Sequence, residues 1–169
     1  DIGRMWPVSG TYTPWQRELL QVILEYRNTV LDILRPGITT EQVLEEAREQ
    51  MKPFMRKYQF SKNIYRKAAE KMISTGGGVL SHPVGLAVHD DGSYRNGILK
   101  AGHVFSVDPQ MWVPEENLYL RYEDTIVITE EGMENFTDFL PSELNELEDL
   151  VKEEGVLQAV GADSMRWDY

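Results

Sequence analysis

The hydrophobic period of this chain changes from helical to extended at Gly76-Gly77-Gly78, and that change limits the fold more than any other feature of the sequence. Before it, apolar residues recur at three- and four-residue spacing, as one face of a helix requires. After it they come in short β-branched and aromatic runs, as strands require. Helices first and strands later predict an α+β fold.

Local signals place the elements. Thr13-Pro14-Trp15-Gln16 offers a capping hydroxyl, a proline for the first helical position and a glutamine for the third, so a helix starts there and stops at Arg35-Pro36-Gly37. Leu19, Leu20, Ile23, Val30, Leu31 and Leu34 form its predicted buried stripe. Thr39-Thr40-Glu41-Gln42 repeats the cap and opens a second helix of roughly fifteen residues. Ser61 to Ile73 reads as a third helix, and Pro141-Ser142-Glu143-Leu144 begins a last one. Strands are predicted at 104–107, 110–113, 118–122 and 125–129, with a further extended segment over 1–8. The three glycines lack the Lys-Ser/Thr that follows a phosphate-binding loop, so they read as a turn before a strand. No linker or internal repeat divides residues 1–169, which are taken as a single domain.

Composition excludes several functions. With 28 acidic against 17 basic residues, net charge −11, the chain has no basic stripe to displace counterions from nucleic acid. No apolar run reaches the length of a membrane span, so neither nucleic acid nor membrane is an expected partner. The chain has no cysteine, which removes disulfides, thiol catalysis and zinc–thiolate sites, and a cytoplasmic location is the expectation.

The chemistry-bearing residues fall in three clusters: Ser81-His82-Pro83-Val84-Gly85-Leu86-Ala87-Val88-His89-Asp90, Val107-Asp108-Pro109 and Arg121-Tyr122-Glu123-Asp124. One imidazole followed by two spaced carboxylates is a ligand set for a divalent metal of intermediate hardness. Each residue also has a plainer reading. His82 could bond a backbone carbonyl in a turn, and Asp108 before Pro109 is ordinary turn chemistry. Arg121 and Glu123 could be a surface ion pair, and His89 could pin a loop.

In order, these clusters resemble the pita-bread metallopeptidases, the group of aminopeptidase P, Xaa-Pro dipeptidase and methionine aminopeptidase. The likeness runs through Asp1-Ile2-Gly3-Arg4, Pro7-Val8-Ser9-Gly10, Arg35-Pro36-Gly37, His82 to Asp90, Leu99-Lys100-Ala101-Gly102, Asp108-Pro109, Arg121 to Asp124 and Thr129-Glu130-Glu131-Gly132. It implies a curved, mostly antiparallel sheet with helices on its convex side, of which this chain supplies the C-terminal part. It also implies two divalent ions (Mn, Zn, Co or Fe) and a peptide substrate. On this resemblance Asp1, His82, Asp108 and Glu123 stand at metal-ligand positions, His89 at a substrate-contacting one, and Arg121 at that of an arginine pairing with a carboxylate. His89, Asp108 and Arg121 are the expected catalytic residues.

Two positions depart from the pattern. Asp108 stands where the family has glutamate, so the sequence alone predicts that Asp108→Glu restores reach and raises activity. Gly78 stands where proline-specific members carry a second histidine. The family's first aspartate would lie about eleven residues before Asp1, an offset taken from the resemblance. A fragment inactive alone, and either accompanied by separate upstream sequence or self-associated, for instance as a homodimer, is therefore expected. The expected function is a metal-dependent exopeptidase acting at Xaa-Pro bonds. A creatinase-like or lyase-type enzyme of small molecules, and a silent peptide-binding module, stay open.

Overall fold

The computed structural model describes residues 1–92, 94 and 97–155. Three helices come first: α1 (Pro14–Ile33), α2 (Thr40–Lys57) and α3 (Asn63–Thr75). Strands β1 (Leu80–Pro83), β2 (Val104–Val107), β3 (Gln110–Val113), β4 (Leu118–Arg121), β5 (Asp124–Ile128) and β6 (Met133–Asn135) follow, then α4 (Leu144–Lys152). The α+β expectation holds, and the change of period falls where α3 ends. Gly76, Gly77 and Gly78 all have positive φ, the left-handed region in which a side chain is strained, so a run of three glycines turns the chain from α3 into β1.

Both predicted caps form at the start of their helices. Gln16 accepts from the Thr13 N–H at 2.8 Å, and Gln42 from the Thr39 N–H at 2.9 Å. All six residues of the predicted α1 stripe are buried, together with Val22, Leu24 and Tyr26. The helix is buried over more than one stripe because α2, α3, β4 and α4 all pack on it. α2 runs past Pro53 and is longer than its pattern predicts.

The strands β1-β2-β5-β6 form one antiparallel sheet, and β3-β4 a separate hairpin. In register, Ser106 lies opposite Thr125 and Val107 opposite Asp124. Phe105 and Ile126, also opposite, are fully buried in the core. The chain leaves the sheet at Asp108-Pro109, makes the hairpin, and returns at Tyr122-Glu123, so one site gathers residues from both strand groups. β6 has no counterpart among the predicted strands. The segment 1–8 is not a strand: only Gly3 pairs, as an isolated bridge to Glu123. What holds it is side-chain chemistry instead, with Arg4 reaching the carbonyls of Gly3, Glu123 and Pro141. Among the described residues no helix is long and apolar enough to cross a membrane.

Candidate metal and catalytic site

His82 sits on β1, largely buried, and its ring geometry is informative. Nδ1 lies 3.1 Å from the carbonyl oxygen of Pro83. A carbonyl can only accept, so Nδ1 carries the proton and donates. Nε2 then faces Asp1 Oδ2 at 3.2 Å and Glu123 Oε1 at 3.7 Å. In a neutral imidazole that is a lone pair aimed at two carboxylates, an arrangement that calls for a positive species between them.

The loop after β1 carries His89 and is built by Asp90. The Asp90 carboxylate accepts from the Ala87 N–H at 3.3 Å and the Asp91 N–H at 2.8 Å, and these bonds hold it below its ordinary pKa. A Cβ at Gly85 would lie 2.2 Å from Asp90 Oδ2, so the turn accepts only glycine there. Folded this way, the loop sets the His89 ring edge-on to His82, with centroids 4.2 Å apart. Both histidines line an open cavity of about 430 Å³ with Ser81, Pro83, Asp90, Asp91 and Gly92. Potential ligand atoms of Asp1, His82 and His89 all lie within 4.8 Å of one another.

Asp1 reaches the site through a close backbone approach. Gly3 exchanges hydrogen bonds with Glu123 at 2.9 and 3.0 Å, and a Cβ on Gly3 would come within 3.1 Å of the Glu123 Cβ. Thr125 Oγ1 donates to the Asp1 carbonyl at 2.6 Å. Glu123 is oriented at both oxygens: Ser106 Oγ donates to Oε1 at 2.9 Å, and Arg121 Nη2 pairs with Oε2 at 2.6 Å.

Arg121 also links Glu123 to Asp108, its Nε lying 3.0 Å from Oδ1. The contact is one of charge, because no donor is aligned on this oxygen and Oδ1 is buried without a hydrogen bond. Burial pushes the Asp108 carboxyl up to about 6; the Gln110 hydrogen bond and the Arg121 charge work against that rise, and Glu123 adds to it. An imidazole nitrogen facing two carboxylates and a mixed N/O donor set fit a divalent cation.

The structure thus links all six residues singled out from the sequence: Asp1, His82 and His89 form one close group, His82 also faces Glu123, and Arg121 joins Glu123 to Asp108. Sequence reasoning missed Asp124. Its carboxylate is fully buried and takes Arg4 Nη2 at 2.8 Å, Arg27 Nε at 2.5 Å and Thr137 Oγ1 at 2.7 Å. Burial alone would raise its pKa, but the Arg27 hydrogen bond and charge, with Thr137 and Arg4, bring it below the ordinary value. Arg4 and Asp124 both lie inside the segments that carried the resemblance. Arg27 sits within a helical stripe and gave no signal of its own.

Comparison with known proteins adds an independent line. Residues 1–130 match Metallopeptidase family M24. The chain is 36% identical over 167 residues to Xaa-Pro aminopeptidase of Escherichia coli, covering 89% of this chain and 37% of that protein. Zinc-substituted Escherichia coli aminopeptidase P, solved in complex with product, superposes with a TM-score of 0.70 at 33% identity, over 92% of this chain and 39% of that one. The same enzyme with the inhibitor Pro-Leu gives 0.69 at 35% identity, over 89% and 37%. The chain therefore has the fold of the corresponding part of aminopeptidase P and spans little more than a third of the length of these relatives.

Proposed function

Because the chain belongs to metallopeptidase family M24, we propose that it forms the C-terminal part of a divalent-metal exopeptidase that removes the N-terminal residue of peptides at Xaa-Pro bonds. The observation that carries this reading is the arrangement around His82, whose Nε2 faces Asp1 and Glu123 while His89 and the open cavity lie beside it. The Xaa-Pro preference rests on the relatives named above.

Asp1, His82, Asp108 and Glu123 are the residues that would hold two ions. When bound, such ions supply an activated water near neutral pH and polarise the scissile carbonyl. The side chains do the rest. His89, at the cavity, is placed to donate to the carbonyl oxygen as charge builds there. Arg121 holds Glu123 and Asp108 apart from solvent-driven reorientation by pairing with both. Asp108, with its pKa near 6, takes the proton from the attacking water as the C–O bond forms and passes it to the amine nitrogen as the C–N bond breaks.

The test uses protein expressed from the complete gene with Mn(II) or Co(II). It should release the first residue of an Xaa-Pro-Leu tripeptide at least tenfold faster than that of Xaa-Ala-Leu, and lose activity in chelator. Equal rates on both peptides would remove the proline preference. Bound metal with no peptide cleavage would favour the small-molecule reading, which the shorter Asp108 and the bare Gly78 also suit.

A further inference from the structure

The turn between β2 and β3 contains a contact that the proposed chemistry does not use. Gln110 Nε2 donates to Asp108 Oδ2 at 2.7 Å, and the acceptor carboxylate is almost wholly buried. This is the one aligned side-chain donor on Asp108 among the described residues, since Oδ1 has none. The backbone fixes both partners: Asp108 N–H donates to the Val79 carbonyl at 2.9 Å and Gln110 N–H to that of Gly77 at 2.8 Å. The glycine turn is therefore sewn to the Asp108-Pro109-Gln110 turn on either side of Gly78.

Position 78 completes the unit. A Cβ there would lie 3.1 Å from Gln110 Nε2 and 3.3 Å from its Cδ, on a residue whose φ is already +74°. A side chain at 78 would therefore crowd the Gln110 amide and push it from its observed place by a few tenths of an ångström. From this geometry we infer that Gln110 is a positioning residue: it fixes the plane of the Asp108 carboxylate and thereby the direction of the other oxygen, Oδ1, and Gly78 makes room for it.

The chemistry of the donor matters. An amide orients a carboxylate without adding charge to it, so Gln110 holds Oδ2 without adding to the positive charge that Arg121 already brings to Oδ1. Gln110 takes Oδ2 and leaves Oδ1 beside Arg121 and Glu123, on the side where the other candidate ligands gather. The inference rests on the peptidase reading for what Asp108 does, but the way Asp108 is held stands apart from it.

The test is Gln110→Met, which keeps length and removes the donor, in protein expressed from the complete gene. Partners that orient metal ligands typically contribute 10- to 100-fold in affinity. The Mn(II) dissociation constant should therefore rise by about that factor, while the metal-free melting temperature falls by only a few degrees, roughly the effect of one lost hydrogen bond in a domain of this size. Gly78→Ala, which displaces the amide, should reproduce the loss. In an Asp108→Ala background Gln110→Met should add nothing, because its whole effect passes through Asp108. A crystal structure of metal-free Gln110→Met supplies a readout independent of the peptidase reading: the Asp108 carboxylate should have rotated. An unrotated carboxylate, a Mn(II) affinity within twofold of wild type, or additive losses in the Asp108→Ala background would each overturn the inference.

Discussion

Asp124→Ala tests whether the buried charge cluster, and not the backbone bridge alone, holds the N-terminal segment against the site. The carboxylate has no solvent exposure, and the Arg4 and Arg27 side chains are 0% and 7% exposed. Removing it strands two guanidinium groups in the interior, a change that costs about 3–5 kcal/mol in comparable buried pairs. Arg4 keeps the Gly3, Glu123 and Pro141 carbonyls as acceptors, so most of the uncompensated charge falls on Arg27, whose other side-chain partner is Asn28. For a domain of this size the loss corresponds to a fall in melting temperature of roughly 6–20 °C. Urea unfolding followed by circular dichroism and tryptophan fluorescence gives the number directly. Asp124→Asn, which keeps an acceptor oxygen and loses the charge, should cost less than alanine. The pH dependence supplies a second readout with a definite sign. The folded-state pKa of Asp124 is lowered, so its contribution is complete above the unfolded carboxylate value of about 3.9 and is lost as pH falls through the folded value. The variant should therefore show a shallower acid limb. A cost below about 1 kcal/mol, the range of exposed pairs, would refute the reasoning.

Three further outcomes follow from the site. His82→Ala should sharply lower the Mn, Zn, Co or Fe content of the purified protein with an unchanged circular dichroism spectrum; full retention by elemental analysis would remove His82 from the ligand set. Asp108→Glu should lower peptidase activity, the reverse of what the sequence alone predicts, because the buried carboxylate is already held by Gln110 at 2.7 Å and a longer side chain gives up that hold; a rise in kcat would show that reach, not orientation, limits the reaction. Metal-free protein should lose stability as pH rises from about 4 to about 6, since the folded state there binds a proton on Asp108 that the unfolded chain has released, and Asp108→Asn should flatten that limb.

The sequence made the helices legible because their signals are local. Thr39 and Gln42 cap each other reciprocally and Gln16 reaches back to the Thr13 N–H, each within four residues, and the α1 stripe repeats over about four turns. Residues 1–8 misled because an apolar, extended stretch looks the same whether it pairs along its length or only at Gly3, and what decides is Arg4 meeting Asp124, 120 positions away. β6 is three residues long, too short for a period to show. The six site residues were legible through their order along the chain. The Gln110–Asp108 contact was not, since it depends on the φ of Gly78 and on the rotamer of a residue type with no chemistry of its own.

The bridge between Gly3 and Glu123 also has a kinetic consequence. It closes a loop of about 120 residues, and for a flexible chain the length-dependent part of that closure is about 4 kcal/mol of entropy. Asp1 meets His82 and Glu123 only once that loop is shut, whereas α1 to α3 and the β3–β4 hairpin assemble from neighbours in sequence. The site should therefore be the last part of the molecule to form during refolding and the first to open in the native state. Amide exchange at Gly3 and Glu123 should then run ahead of exchange in α1, and a substitution such as Gly3→Ala should speed unfolding while leaving the folding rate nearly unchanged.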